Sequence, residues 1–158
     1  YNWHFIGTLQ KNKAKYIVGY VSLIHSLDSF SLAQEINKRA QSKGIIQDLL
    51  IQINQGEKNK GGIDVKEVES FVAALNDLNN LNLKGVMIIP PYSTSSEHSR
   101  RFFIEAREIR DNLNKKSVYK KPLTELSMGM SNDYCVAVEE GATILRIGTA
   151  IFGDRKKR

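Results

Sequence analysis

The regular alternation of short apolar runs with amphipathic segments constrains the fold of this chain more than any other feature of its sequence. Apolar runs typical of β-strands recur near residues 3–6, 21–26, 48–54, 84–89, 123–127 and 142–146. Segments with helical spacing of apolar residues separate these runs. Such alternation predicts parallel strands joined by helical crossovers, and a parallel sheet needs cover on both faces. Two architectures satisfy this pattern, an open doubly wound sheet and a closed eight-stranded α/β barrel.

Three of the intervening segments have the apolar spacing of amphipathic helices. They predict helices over residues 29–41, 64–78 and 97–114. Asp28 precedes the first predicted helix and Asp64 heads the second, as expected of residues that cap helix N-termini. Each predicted helix therefore presents one apolar face that can pack on the sheet.

The chain of 158 residues has the composition of a globular protein, with 41% hydrophobic and 25% charged residues. We predict one domain over residues 1–153 and a basic tail over residues 154–158. No run of about 18 apolar residues is present, so the sequence predicts no membrane-spanning helix. The single Cys135 cannot form an internal disulfide, and its apolar neighbours predict a buried thiol.

The net charge of +6 does not by itself indicate a nucleic-acid partner. Basic residues are scattered through the chain and alternate with acidic ones, as in residues 105–111. Such alternation is typical of solvated helix faces. The basic cluster within residues 154–158 is short and lacks interleaved aromatic residues, so it predicts a disordered tail rather than a recognition site.

Two predicted strand ends carry groups suited to holding an anion. Arg146 follows an apolar run, and Gly148 then provides a turn that exposes the backbone amide of Thr149. Ser131 follows the preceding strand and is predicted to be the N-cap of a helix over residues 132–140. Because the first turn of a helix has unpaired N–H groups, this segment also suits an anion. Together the two segments predict a site for a phosphorylated cofactor.

Each of these features also has a purely structural interpretation. Arg146 with Gly148 is compatible with a core strand whose guanidinium reaches solvent beyond a structural glycine. Ser131 with the two residues after it is an ordinary capping sequence. The functional interpretation depends on the two strand ends meeting at one place.

Four segments of the chain resemble the pyridoxal phosphate homeostasis proteins, which share the barrel of bacterial alanine racemase. They are residues 3–13, residues 24–28, Gln52-Ile53-Asn54 with Glu57, Lys60 and Gly62, and residues 126–153. These segments follow the order of the family and span nearly the whole chain. The resemblance implies an incomplete (β/α)8 barrel of the TIM type, in which the predicted strands are the third to the eighth.

The resemblance also implies a set of cofactor-binding residues. Carried onto this sequence, Met130, Ser131, Gly148 and Thr149 surround the phosphate of pyridoxal 5′-phosphate, and Arg146 approaches the pyridine nitrogen. A guanidinium stays protonated, so it leaves the pyridine nitrogen without a proton and the ring a weak electron sink. The implied function is cofactor binding in vitamin B6 homeostasis without established turnover. The alternative is a PLP-dependent amino-acid racemase or related lyase, and no catalytic residue is assigned.

In the family, the lysine that forms a Schiff base with the cofactor precedes the segment that begins at Trp3. The resemblance therefore implies that this chain, which starts at Tyr1, is N-terminally truncated and lacks the lysine for covalent attachment. It implies PLP as the ligand, PLP-dependent apoenzymes as partners, and a monomer when complete. We expect a cytoplasmic location, with a mitochondrial one as the alternative, and neither a membrane nor a nucleic-acid partner.

Other polar residues allow two interpretations each. His4 and His25 lie within predicted strands, where a histidine either lines a cofactor cavity or is hydrogen-bonded in the core. Asn54, with Glu57 and Lys60 in the same loop, has either a turn role or a ligand contact. With His98, the histidines do not form a recognisable metal-binding set, so no metal site is predicted.

Overall fold

One parallel sheet runs through residues 1–56 and 61–154, which the computed structural model describes. Its strands are β1 (His4–Phe5), β2 (Leu23–Leu27), β3 (Gln47–Asn54), β4 (Ile63–Asp64), β5 (Leu81–Ile88), β6 (Glu125–Met130) and β7 (Ile144–Arg146). The strand order is β1-β2-β3-β5-β6-β7, and the short β4 pairs with the end of β3. Every pairing is parallel, which confirms the predicted alternation. The two-residue β4 was not predicted.

In the described ranges, five α-helices connect or follow the strands. They are α1 (Phe30–Ser42), α2 (Val68–Ala74), α3 (Arg100–Lys115), α4 (Tyr134–Glu139) and α5 (Thr149–Phe152). Short 3₁₀ turns flank α2 and precede α3, so the second and third predicted helices are composite. The positions of the three longer predicted helices are otherwise confirmed.

One of the two predicted helix caps needs correction. Ser29, not Asp28, is the N-cap of α1, and its hydroxyl accepts a hydrogen bond from the amide of Leu32 at 3.4 Å. The prediction for Asp64 is confirmed: it ends β4 and is the N-cap of the 3₁₀ turn that opens the second helix, where its carboxylate accepts from the amide of Lys66 at 2.9 Å.

The two faces of the sheet have different partners. Alternate residues of β3, including Leu49 and Ile51, belong to the large core that the helices cover. Leu50 faces the other way and packs with Leu23, Met87 and Ile144 in a smaller apolar cluster. This second cluster occupies the concave face of the sheet, so the strands enclose a partial barrel interior.

Gly129 shapes the turn that leads out of β6. Its φ of +90° lies in the region that favours glycine, and a Cβ here would lie 2.5 Å from the Cβ of Ala137 in α4. The absence of a side chain lets α4 pack closely against the end of β6. This contact fixes where Met130 and Ser131 emerge from the sheet.

Cys135 is exposed, which contradicts the predicted burial. Its neighbours Val136 and Ala137 occupy the buried side of the six-residue α4. Across the described ranges, no helix has both the length and the apolar character needed to cross a bilayer. Glu57, Lys60 and residues 155–158 of the predicted tail lie outside the described residues, so the division into domain and tail stays a prediction.

Candidate functional site

A cavity of about 1110 Å³ opens at the carboxyl ends of the parallel strands. Its walls come from His4, His25, the loop after β5 at residues 90–93, and the segments 130–133 and 144–149. The carboxyl ends of barrel strands are where ligands bind in this architecture. The cavity therefore lies where the fold places a functional site.

All five residues predicted to bind the cofactor line this one cavity. They are Met130, Ser131, Arg146, Gly148 and Thr149. Met130 ends β6 and Arg146 ends β7, and their Cα atoms are partners in the parallel register. The two strand ends thus meet, as the functional interpretation requires. Their role toward a cofactor stays a prediction.

Ser131 connects these two strand ends through its hydroxyl. The Oγ atom accepts hydrogen bonds from the amide of Gly148 at 3.1 Å and from the amide of Ala150 at 3.2 Å. Two backbone N–H groups that converge on one oxygen form a concave arrangement suited to anionic oxygens. Ala150 was not predicted, because nothing in its residue type signals a backbone contribution.

The prediction that Ser131 caps the next helix is wrong. The helix α4 begins at Tyr134, and its N-cap is Asp133. The carboxylate of Asp133 accepts from the amide of Met130 at 2.7 Å and from the hydroxyl of Ser99 at 2.8 Å. These bonds close a turn over residues 130–133, which delays the helix and directs Ser131 toward β7.

Arg146 is half-buried, and two hydrogen bonds fix its guanidinium. Nη1 donates to the Oγ atom of Ser127 at 2.6 Å, and Nη2 donates to the carbonyl oxygen of Ile88 at 2.7 Å. Loss of solvation lowers the pKa of Arg146 to about 10, with the carboxylate of Asp133 opposing this shift. The group is still a cation at neutral pH. Since a guanidinium has five N–H groups, three have no acceptor among the residues that the structure describes.

His25 is fully buried below the cavity and bonded on both ring nitrogens. Nδ1 lies 2.8 Å from the Oγ atom of Ser127, and Nε2 lies 3.1 Å from Nδ1 of His4. Burial, His4 and Arg146, in that order, lower the pKa of His25 to about 4. The two interpretations of these histidines therefore coincide, because both line the cavity and are hydrogen-bonded to each other. Ser127 was missed, since a serine in a strand carries no signal of a partner so distant in sequence.

Asn54 does not line this cavity. Its Oδ1 atom accepts from the amide of Gly56 at 3.0 Å, which supports the turn interpretation. In the described parts of the chain, no lysine lines the cavity. No three His, Cys, Asp or Glu residues are grouped so that they could hold a metal ion in residues 1–56 and 61–154.

The parallel strands, the partial barrel interior and the cavity at the strand ends define an α/β-barrel protein of the alanine racemase type. Residues 2–156 match the family profile described as alanine racemase, N-terminal domain. The chain is 50% identical over 155 residues to the pyridoxal phosphate homeostasis protein of Aquifex aeolicus (strain VF5), a match that covers 98% of this chain and 67% of the relative. The chain belongs to the family of pyridoxal phosphate homeostasis proteins, as the four segments predicted.

Solved structures agree with this assignment. PipY of Synechococcus elongatus PCC7942, in a structure with PLP bound, is 35% identical and superposes with a TM-score of 0.88, covering 96% of this chain and 70% of PipY. An alanine racemase of Clostridium difficile 630 is 18% identical with a TM-score of 0.76, covering 99% of this chain and 41% of the racemase. The racemase likeness shows the fold alone. The prediction of an incomplete TIM-type barrel is confirmed.

Proposed function

We propose that this protein binds pyridoxal 5′-phosphate in the cavity at the strand ends and acts in the homeostasis of that cofactor, without turnover of an amino-acid substrate. The observation that carries the proposal is the meeting of two groups in one cavity. One is the Ser131 hydroxyl with the amides that converge on it, and the other is the anchored guanidinium of Arg146. The PLP bound in PipY supports the choice of ligand.

The residues present fit the phosphate end of this cofactor. A phosphate needs several donors for its oxygens, and backbone N–H groups at turns supply them without added lysine. The amides of Gly148 and Ala150 donate to the hydroxyl oxygen of Ser131 in this structure. A phosphate oxygen would replace that oxygen as their acceptor, and the Ser131 hydroxyl would then donate to the phosphate. Thr149 and Met130 complete the wall around this point. We assign the phosphate to these residues.

The residues also fit the ring end. Two N–H groups of Arg146 donate to Ser127 and Ile88, which leaves three for a ligand. The guanidinium stays protonated at neutral pH. It therefore donates a hydrogen bond to a ring nitrogen and leaves that nitrogen unprotonated. PLP, when bound, supplies an electron sink, and an unprotonated ring is a weak one. This favours cofactor holding over reactions that need a strongly stabilised carbanion.

The described residues hold the cofactor without covalent attachment, because they place no lysine in the cavity.

We further propose that the protein works as a monomer in the cytoplasm and passes PLP to PLP-dependent apoenzymes. A recipient apoenzyme that regains activity faster from the loaded protein than from free PLP at equal concentration supports transfer. Equal rates contradict it.

The proposed function is tested by equilibrium titration of the intact protein with PLP and with pyridoxal, which lacks the phosphate. We expect saturable binding of PLP and binding of pyridoxal weaker by about 100-fold, since several charge-assisted hydrogen bonds are lost. Equal affinity for the two ligands, or no binding of PLP, contradicts the proposal. Sustained interconversion of L- and D-alanine by the loaded protein would instead establish the racemase alternative.

A further inference from the structure

A chain of four polar side chains crosses the concave face of the sheet below the cavity. It runs from Arg146 on β7 to Ser127 on β6 at 2.6 Å, then to His25 on β2 at 2.8 Å, and ends at His4 on β1 at 3.1 Å. Ser127 and His25 are 102 positions apart in the sequence. Since β3 and β5 separate β2 from β6 in the sheet, this contact spans the barrel interior.

The donor and acceptor properties of the four side chains determine the direction of each hydrogen bond between them. A guanidinium only donates, so the Oγ atom of Ser127 accepts from Arg146. The hydroxyl proton of the buried Ser127 then needs an acceptor, and Nδ1 of His25 is the one found within the described residues. Leaving a buried hydroxyl proton unpaired is costly. His25 therefore carries its proton on Nε2 and donates it to Nδ1 of His4.

We propose that Ser127 and His25 are positioning residues that hold the Arg146 guanidinium in place before any ligand arrives. The inference rests on the proposed function in one respect, the role of Arg146 toward the pyridine ring. Ser127 and the carbonyl of Ile88 bond two different nitrogens of the guanidinium, so together they fix its plane. The free N–H groups are thereby held in position at the cavity, and donors held in advance need no ordering on binding.

The charge state of the surroundings is consistent with this arrangement. The titratable groups near His25 are His4 on β1 and Arg146 on β7, and Asp133 on the turn before α4 faces Arg146. Burial, His4 and Arg146 lower the pKa of His25 to about 4, so His25 stays neutral at physiological pH. A neutral ring can accept from Ser127, whereas a protonated ring cannot. The chain of hydrogen bonds is thus intact at neutral pH.

NMR of the ligand-free intact protein tests the positioning role without any cofactor. Imidazole ¹⁵N shifts report which nitrogen of His25 carries the proton, and guanidinium ¹H–¹⁵N signals report whether Arg146 is immobile. We expect the Nε2–H form of His25 and slowly rotating Nη groups on Arg146. In Ser127→Ala both features should be lost, while Ser26→Ala should keep them. Ser26 is a matched control, because its buried hydroxyl has no hydrogen-bond partner among the described residues.

Binding measurements connect this result to the ligand. We expect Ser127→Ala to lower the affinity for PLP about fivefold and Ser127→Thr to restore it. The inhibition constant of inorganic phosphate should be unchanged in both variants. Unchanged PLP affinity in Ser127→Ala, an Nδ1–H form of His25, or unchanged Arg146 signals would overturn the proposal. If the wild-type protein binds no PLP, the proposed function fails, and the NMR result still decides whether Ser127 and His25 position Arg146.

Discussion

The amide nitrogen of Gly148 lies 3.1 Å from the Oγ atom of Ser131, so the turn after β7 is hydrogen-bonded to the turn after β6. The amide of Ala150 donates to the same oxygen at 3.2 Å. The oxygen thus comes from the turn after β6, and both of its donors come from the turn after β7. A phosphate oxygen that replaces the serine oxygen as acceptor would meet the same two donors, and this geometry is the basis of the first prediction.

Ser131→Ala should weaken PLP binding about tenfold, because the phosphate loses one hydroxyl donor and the two turns lose their connection. Fluorescence titration measures the affinity. Ser70→Ala is the matched control, since Ser70 is exposed on α2 and its hydroxyl donates to the carbonyl of Glu67, far from the cavity lining. If Ser131→Ala binds PLP as tightly as Ser70→Ala, the phosphate does not contact Ser131.

Arg146→Lys should weaken PLP binding by about tenfold or more although it keeps the positive charge. A lysine ammonium is a point charge and cannot reproduce the planar fork that bonds Ser127 and Ile88 together. Inorganic phosphate, used as a competitor, should bind this variant as it binds the wild type. Arg101→Lys, at an exposed position on α3, serves as the control. Equal weakening of PLP and inorganic phosphate would place Arg146 at the phosphate rather than at the ring.

The stability of the protein should fall as the pH drops from about 6.5 to about 4, because of His25. Its pKa is lowered from 6.5 to about 4 in the folded state, so over this window the unfolded chain binds a proton that the folded protein does not. Below pH 4 both states are protonated and the loss levels off, at about 3 kcal/mol in total. Urea unfolding of the wild type and His25→Gln across this range measures the effect. His98→Gln, an exposed control, should keep the wild-type slope, and a wild-type slope in His25→Gln would contradict the prediction.

Gly129→Ala should destabilise the protein more than Gly44→Ala. Both glycines have a positive φ, +90° and +66°, so each substitution has a backbone cost of about 1–2 kcal/mol. A Cβ at Gly129 would also lie 2.5 Å from the Cβ of Ala137, whereas one at Gly44 would meet nothing within 4 Å. Denaturant unfolding of the two variants gives the difference. Equal losses would show that α4 can move away from β6 without cost.

A chain limited to these 158 residues should associate in solution. The strands β1 and β7 are the two ends of the sheet order, and unpaired strand edges promote association. Large apolar side chains are exposed near both ends, with Trp3 at 69% and Phe152 at 85% exposure. Size-exclusion chromatography with light scattering measures the mass. A monodisperse monomer that melts cooperatively would contradict this prediction.

The strands and most helices could be predicted from the sequence because their signals are local. Apolar runs and helical spacing repeat within a few residues, and the two segments predicted to hold an anion each lie within one short stretch of chain. The meeting of Ser131 with Gly148 followed from the rule that neighbouring parallel strands end at the same edge. The family segments then distinguished a barrel from an open sheet.

The remaining parts of the site depend on contacts that the sequence does not encode locally. The bond between Ser127 and His25 exists because the sheet curves, which brings β6 toward β2 across the interior. The N-cap of α4 is Asp133 rather than the predicted Ser131, because the Asp133 carboxylate accepts hydrogen bonds from the Met130 amide and the Ser99 hydroxyl and so holds residues 130–133 in a turn. Backbone donors such as the amide of Ala150 are invisible in a sequence, since every residue except proline has one.

A crystal structure of the intact protein with PLP bound is the most direct test of the central claim. We predict the phosphate within hydrogen-bonding distance of the Ser131 hydroxyl and of the Gly148 and Ala150 amides, with the pyridine nitrogen facing Arg146. A cofactor bound in another cavity, or one bound here with its phosphate against Arg146 and its ring at Ser131, would contradict the account.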